Sequence, residues 1–362
     1  MSFHDGILPR EGFHADVLGG LVQHSLLNPI LTIPVLLLAN YHQKGHQLAA
    51  QHMRTFSIVK VAAALGVMRL LNGWLSQRAV NNGVTDTYDW SKEIVLITGG
   101  ADGIGRQIAL MFASKNVKVV VLDVQPMTYE APPSVTYMKC DITSASALSE
   151  VHQKIKRANG GQSPSIIILN AGICKGRSIL DSTARDVSLT FEVNAISHYT
   201  LAREFLPSIV EANHGTVVTV ASSAAWATAP RMVEYAASKA AALAFHEGLS
   251  AELVSVYKAP KVRTIVVNQG HTKTRLFQGF NAGGGFFGPP LEVDTVAEAI
   301  VRKVMSGSSG QIILPGFYKG LVANFRSLPL WMQHWSRIDL VRVMKEWNGR
   351  QVDLGGSPAV AT

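Results

Sequence analysis

The sequence predicts an α/β protein, a doubly wound parallel sheet of about seven strands behind an apolar helical extension. Three observations carry that expectation. From Lys92 onward, short runs of branched apolar residues alternate with helix-length amphipathic stretches. The first run, 94–97, opens straight into a glycine-rich turn at 98–105, after which Ile108, Met111 and Phe112 recur at helical spacing. Residues 1–90, which precede all of this, are too apolar for a disordered tail.

Composition bounds the reading further. Of 362 residues, 47% are apolar and 16% charged, and one nucleotide-binding α/β domain would use roughly 250 of them. The expected division is a membrane-associating segment at 1–90, a catalytic domain at 91–315, and an amphipathic extension with its tail at 316–362. Two cysteines, Cys140 and Cys174, cannot build a disulfide framework and lack histidine spacing for a metal site. A reducing compartment and no metal are therefore expected. The net charge of +8 raises nucleic acid as a partner, but no stretch interleaves basic and aromatic residues as a binding module would. Attraction to anionic lipid fits better.

Within the extension, residues 26–38 are apolar but carry Pro29 and Pro34, and they fall short of the roughly 20 residues of a straight span. A second run, 56–75, is rich in alanine and holds Lys60 and Arg69, whose long stems can reach an interface. Together they suggest a hairpin anchor that crosses or dips into a bilayer; ordinary helices buried on the catalytic domain are the alternative. No small-residue cleavage pattern follows, so the anchor is expected to stay attached. The polar stretch 81–89 with Gly83 marks the boundary.

Strands are expected at 94–97, 119–122, 135–138, 166–169, 216–220, 264–267 and 312–314, where continuous apolar runs indicate burial on both faces. In the turn, Thr98 closes the strand, Gly99 permits the tight bend, Gly103 lets the backbone approach a pyrophosphate, and Gly105 allows close packing. The helix start around Asp102, Gly103 and Ile104 offers unpaired N–H groups to phosphates. Asp123, ending the second strand, can accept hydrogen bonds from the adenosine ribose hydroxyls of NAD. A 2′-phosphate there would meet like charge: two unit charges about 4 Å apart at an effective dielectric near 20 repel by roughly 4 kcal/mol. NAD(H) is favoured on that ground, with NADP(H) not excluded. Asp141, beside Ile142 at the end of the third strand, is placed either to receive the adenine amino group or to cap the following helix.

Tyr235 and Lys239 stand at i, i+4 in an Ala-rich, helix-favouring run, which puts phenol and ammonium on one face. A lysine cation and a positively charged nicotinamide both favour phenolate, so Tyr235 would act as general base toward an alcohol. Ser222, just past the strand at 216–220, would bond the substrate oxygen as charge develops on it, with Ser223 the competing candidate. Asn194 could hold a helix open around a water that relays protons from Lys239. Jointly these residues point to hydride transfer between a nicotinamide and an alcohol or carbonyl.

On the motifs at 98–105, Asn170-Ala171-Gly172, Asn194, Ser222 and Tyr235 with Lys239, the chain resembles the short-chain dehydrogenase/reductase family across roughly residues 92–315. The resemblance implies a Rossmann-like domain with Ser222 rather than Ser223 as the catalytic serine. It implies that Asn170, Ala171 and Gly172 line the cofactor, that Thr274 contacts the nicotinamide carboxamide with Thr272 nearby, and that Tyr235 and Lys239 also touch the cofactor. It further implies a homodimer built on two long helices, around 194–212 and 235–257. Within the family, the apolar N-terminus and the segment 270–274 resemble the membrane-associated retinol, hydroxysteroid and long-chain alcohol dehydrogenases, which implies the cytosolic face of the endoplasmic reticulum or a lipid droplet. Leu169, Ala225 and Gln269 depart from the family pattern, and Gln269, standing where Pro is usual, leaves the nearby backbone less restricted.

Residues 277–290 combine flexible glycines with Phe277, Phe280, Phe286 and Phe287, the composition of a greasy lid over a lipophilic substrate. Trp226 and Met232 could narrow the substrate mouth. Residues 317–347 set tryptophans beside arginines, which suits a membrane interface, with a domain-covering or dimer-contact helix the alternative, and the tail after Gly349 is expected to be disordered. The leading expectation is an oxidoreductase of lipophilic alcohols and carbonyls. An NADPH-dependent ketoreductase of secondary metabolism and a non-catalytic nucleotide-sensing scaffold are the alternatives.

Overall fold

The computed structural model describes residues 3–6, 8–281, 283 and 285–352. Four helices come first: α1 (Ala15–His24), α2 (Pro29–Tyr41), α3 (Gln43–Gln51) and α4 (Met53–Val80). Seven strands follow, β1 (Ile94–Thr98), β2 (Lys118–Asp123), β3 (Val135–Lys139), β4 (Ile166–Leu169), β5 (Thr216–Val220), β6 (Arg263–Gln269) and β7 (Gly310–Leu314). Between and after them lie α5 (Gly103–Ala113), α6 (Ala145–Ala158), α7 (Ala184–Phe191), α8 (Ser197–Ala212), α9 (Val233–Ser255), α10 (Val293–Met305) and α11 (Leu330–Asp339). The sheet is parallel throughout, in the order β3-β2-β1-β4-β5-β6-β7. Its order reverses between β1 and β4, which places a crevice at the carboxyl ends of those two strands.

The strands are apolar throughout because alternate side chains feed two cores. Leu96, Leu122, Ile167 and Val217 point into one layer with residues of α6, α8 and α9. Val95, Ile97, Val121, Ile168 and Ile265 point into the other, against α5 and α10. Gln269 continues β6 in register with Leu314 of β7, and the N–H that follows it, that of Gly270, donates to the Leu314 carbonyl at 2.7 Å. Asp141 does not cap α6. Ser144 does, accepting from the Ala147 N–H, while Asp141 closes a local turn by accepting from the Thr143 N–H at 2.9 Å and its hydroxyl at 2.7 Å.

The N-terminal helices are not buried on the catalytic domain. Helix α2 packs on α4 through small and proline positions, with Pro29, Thr32 and Ala39 covered on one side and Ala62, Ala63 and Gly66 on the other. A Cβ on Gly66 would sit 2.5 Å from the Leu27 carbonyl oxygen, so the close approach depends on its bare backbone. Among the described residues, helix α4 is the one single helix long and apolar enough to cross a membrane, and only 17% of its apolar window is buried. At about 1.5 Å per residue its 28 residues outreach a hydrocarbon core of roughly 30 Å. Helices α1 and α2 pass the same test only as a pair, bent by 42° between them.

The polar stretch after α4 is tied down rather than slack. Arg263, a fully buried guanidinium on β6, donates to the carbonyls of Asn81 (3.0 Å), Val84 (2.8 Å) and Gly307 (3.0 Å). Asn81 Oδ1 accepts from the Ser309 N–H, and the Tyr88 hydroxyl reaches the Gly215 carbonyl at 2.9 Å. Burial works against charge on His214, but hydrogen bonds to Glu93 and Asp86 outweigh it and raise its pKa. The first residues are held too: Arg10 pairs with Glu298 of α10 at 2.7 Å, and the Asp16 carboxylate accepts from the N–H groups of Gly316 and Phe317. The N-terminal helices therefore leave the sheet domain at fixed points.

Candidate active site

The glycine-rich turn has the geometry a phosphate needs. Gly99 bends at φ +67, where a side chain is strained, and a Cβ on it would lie 2.8 Å from Ala171 Cα. A Cβ on Gly105 would lie 2.3 Å from the Gly99 carbonyl oxygen, so bare glycine lets α5 start against the turn. Asn170 braces it: its side-chain amide donates to the carbonyls of Thr98 and Gly99, each at 3.0 Å. Thr98 lies beneath, its hydroxyl accepting from the N–H groups of Asn170 (3.0 Å) and Ala171 (3.1 Å). Thr98 and Gly105 thus shape the floor, whereas Gly99, Asp102, Gly103, Ile104, Asn170, Ala171 and Gly172 line the cavity above it.

That cavity encloses about 280 Å³ at the carboxyl ends of β1, β4, β5 and β6, and it brings Ser222, Tyr235, Lys239, Thr272 and Thr274 into one space. A smaller compartment of about 70 Å³ adjoins it, sharing Gly99, Ala171 and Gly172 and lined further by Asp123, Asp141 and Ile142. Asp123 is fixed there by two backbone donors, the N–H of Ala101 on Oδ2 and that of Gln125 on Oδ1, each at 3.0 Å. The turn, the helix start and a strand-end carboxylate fit a dinucleotide stretched from the small compartment to the large one.

Tyr235 and Lys239 lie on α9 and are both buried. Burial pushes the phenol above its ordinary value of 10, and a hydrogen bond from Ser222 pulls it back only partly. Withdrawal from water outweighs the lysine at this phenol, so the acidity expected of it rests on the lysine together with the positive charge of the nicotinamide. Lys239 is itself pushed down to about 8 by burial, and its ammonium donates to the Val220 carbonyl at 2.8 Å. The Ser222 hydroxyl accepts from the Ala224 N–H at 3.1 Å and donates to the Gln269 carbonyl at 3.5 Å, and Ser223, which begins a short 3-10 turn, lines the cavity beside it.

Asn194 sits in a π-helical turn, Glu192–Ile196, between α7 and α8. Its side chain bridges the Ile173 backbone, accepting from the N–H at 2.8 Å and donating to the carbonyl at 2.9 Å, and donates to Ser238 at 2.9 Å. The helix is locally widened at the residue singled out for holding it open. Thr274 faces Gly103, its methyl 3.6 Å from where a Cβ on that glycine would lie.

The four lid phenylalanines divide. Phe277 and Phe280 turn inward, Phe277 edge-on to the Tyr235 ring at 5.5 Å. Phe286 packs on Phe13 at 5.9 Å and Phe287 on Phe317 at 5.0 Å, both partly open to solvent. Ala282 and Gly284 of the lid lie outside the described residues. Met232 lines the cavity, and Trp226 is not among its lining residues.

The C-terminal extension divides as well. Leu330, Trp331 and Trp335 on α11 are 80%, 65% and 65% exposed, but Trp347 points inward, donating to the Leu276 carbonyl at 3.0 Å. Val343, Met344 and Trp347 cover Tyr235, and Arg350 lines both compartments. The sequence reading holds a domain-covering helix here only as the alternative to a membrane interface, and it ends the ordered chain at Gly349. Arg350 and Val352 are in fact half-buried, with Gln351 between them exposed, and the rest of the tail lies outside the described residues.

A parallel doubly wound sheet carrying a glycine-rich turn and a buried serine, tyrosine and lysine at its switch point defines a dinucleotide-dependent oxidoreductase. The model of the short chain dehydrogenase family matches residues 93–284, and the chain belongs to that family. It is 40% identical over 215 residues to dehydrogenase RED2 of Cochliobolus heterostrophus, covering 59% of this chain and 79% of that protein. It is 31% identical over 249 residues to estradiol 17-beta-dehydrogenase 11 of Rattus norvegicus, with 66% and 80% covered. To 17-beta-hydroxysteroid dehydrogenase 13 of Homo sapiens it is 30% identical over 254 residues, with 66% and 79% covered. The fold is shared with a short chain dehydrogenase from Burkholderia cenocepacia J2315 solved in complex with NADP, at TM-score 0.58 and 21% identity over 69% of this chain and 99% of that one. The protein is an NAD(P)-dependent oxidoreductase.

Proposed function

We propose that this enzyme interconverts a lipophilic alcohol and its carbonyl compound at a membrane, with NAD(H) as the favoured cofactor. The observation that carries the reading is the buried Tyr235 phenol, bonded by Ser222 in a cavity whose walls include Phe277, Phe280, Met232, Val322 and Leu340. A bound nicotinamide supplies or accepts the hydride. Ser222 donates to the substrate oxygen and orients it toward the phenol. In the reducing direction Tyr235, held protonated by its burial, gives its proton to that oxygen; in the oxidising direction it takes the proton back. Lys239 holds positive charge beneath the phenol, and Asn194 keeps the helix open beside it. Gly99, Gly103 and Ile104 would hold the pyrophosphate, Thr272 and Thr274 the nicotinamide half, and Asp123, Asp141 and Ile142 the adenosine half. The apolar walls exclude water and select a greasy substrate.

Initial rates with NADH and NADPH across a panel of ketones, and with NAD⁺ across steroid-like, retinoid-like and long-chain alcohols, test this. Activity should rise with the apolar bulk of the substrate. Efficient turnover of small polar carbonyls with NADPH alone would favour the ketoreductase reading.

The membrane reading rests on α4 and on the exposed aromatic face of α11. Arg78 lies over the Trp74 ring at 5.6 Å, a pairing suited to the interface where α4 would leave the bilayer, and Arg69 is paired with Gln23 of α1 at 2.6 Å. The catalytic domain would then lie against the cytosolic face of the endoplasmic reticulum or a lipid droplet, in a reducing compartment. The protein should stay with membranes through high-salt and alkaline washing, because apolar segments rather than basic charge hold it. Release by salt alone would reduce α1–α4 to helices of a soluble protein. A homodimer through α8 and α9 is supported by apolar surface exposed at their ends: Ile196 just before α8, Tyr199 in its first turn, and Val256 and Tyr257 just after α9.

A further inference from the structure

The residue that stands out beyond the proposed catalytic set is Arg350. Alone among the cations of the described residues it lines both compartments of the crevice, together with Gly99, which both share. Its Nη1 donates to Asp102 at 3.1 Å, and its Nε is buried with no hydrogen-bond partner among the described residues. A buried guanidinium N–H without an acceptor is costly unless an anion meets it.

Its position is built into the fold. The Arg350 N–H donates to the Arg275 carbonyl at 2.9 Å, and the Asn348 N–H to the Gln278 carbonyl at 3.0 Å. Gly349 passes so close to the Leu276 carbonyl oxygen that a Cβ would lie 1.9 Å from it, and Val352 beyond packs on the core. Asp102 explains why a cation belongs here. Its carboxylate makes no cap to α5 and stands at the helix start beside Gly103, where it would repel a phosphate. Arg350 at 3.1 Å and Arg275 at 3.6 Å offset that charge.

We propose that Arg350 anchors the pyrophosphate of the dinucleotide, so that the C-terminal strap around residues 346–352 closes over the bound cofactor. The inference rests on the reading of the crevice as a dinucleotide site. The pyrophosphate is the part of a dinucleotide that must lie where the two compartments meet, above the turn, which is where Arg350 is. A 2′-phosphate would instead lie beside Asp123. Guanidinium is suited to the task because it can keep Asp102 on one nitrogen while bonding phosphate with the others.

Dissociation constants for NADH, NADPH and ADP-ribose, measured on the full-length protein and on Arg350→Ala and Arg350→Lys, test the proposal. Arg350→Ala should weaken all three by the same factor, at least about tenfold, and Arg350→Lys should restore part of the loss. The salt dependence of binding should flatten in Arg350→Ala and return in Arg350→Lys. Unchanged NADH and ADP-ribose binding in Arg350→Ala would overturn the proposal, as would a loss confined to NADPH, which would move the contact to the 2′-phosphate. A loss that Arg350→Lys does not relieve, accompanied by a lowered Tm, would reduce Arg350 to holding the strap in place. If the unsubstituted protein bound no dinucleotide at all, the reading of the crevice itself would fall, an outcome distinct from failure of Arg350 alone.

Discussion

Tyr235→Phe should lower kcat by about 10² to 10⁴-fold in both directions while leaving NADH affinity within about twofold. The substitution removes one oxygen from a buried ring and leaves the ring's packing against Phe277 and the C-terminal cover in place. Fold and crevice should therefore survive, and the Tm should stay close to that of the unsubstituted protein. What is lost is the one hydroxyl in the cavity that both faces Ser222 and can exchange a proton with the substrate oxygen. Fluorescence titration with NADH separates that chemistry from cofactor binding. Retained turnover would mean that another group moves the proton. Loss of turnover with intact binding would also dispose of the nucleotide-sensing alternative, since a scaffold has no turnover to lose.

The direction of the phenol's pKa bears on this experiment. Burial holds Tyr235 above its ordinary value, so the hydroxyl is a proton donor as it stands, ready for carbonyl reduction. To act as a base on an alcohol it needs added positive charge nearby, and Lys239 is set to provide part of it. Lys239 is pushed down to about 8 by burial, so its own charge weakens as pH rises through that value. An i, i+4 spacing discloses that phenol and ammonium share a helix face. It says nothing of how far both are withdrawn from water.

That contrast marks what the sequence disclosed. Strands buried on both faces announce themselves as unbroken apolar runs, and 166–169 and 216–220 coincide with β4 and β5 to the residue. The turn at 98–105 is local chemistry, so its glycines could be assigned separate tasks before any coordinates. The cover over the site is not local. Trp347 and Trp335 stand in similar company along the chain, yet one packs over Tyr235 and the other faces solvent, because tertiary contact alone decides which side of an amphipathic stretch meets the core. Arg350 lies 248 residues from the Asp102 it pairs with, beyond the reach of any spacing argument. The stretch 81–89 looked like a linker for the same reason: its polar groups are satisfied by Arg263 and Ser309, far along the chain.

Asp123→Ser should shift cofactor choice more than any other single change outside the catalytic group. The carboxylate is held by the N–H groups of Ala101 and Gln125, so its charge cannot swing away from a ligand in the small compartment. A 2′-phosphate about 4 Å from it would be repelled by roughly 4 kcal/mol at an effective dielectric near 20. Each 1.4 kcal/mol is about tenfold, which sets an upper bound near 10³ on the change in preference. Serine keeps a hydroxyl for the two backbone donors and removes the charge. The ratio of kcat/KM for NADPH to that for NADH should rise by between about tenfold and 10³-fold, with part of the change coming from weaker NADH binding as the ribose loses its acceptor. Arg350, paired with Asp102 at 3.1 Å and assigned to the pyrophosphate common to both cofactors, should leave the ratio alone, so the shift should be the same in an Arg350→Ala background. A ratio that stays unchanged on Asp123→Ser would mean that the ribose does not lie against Asp123, and the favoured cofactor would have to be argued from other residues.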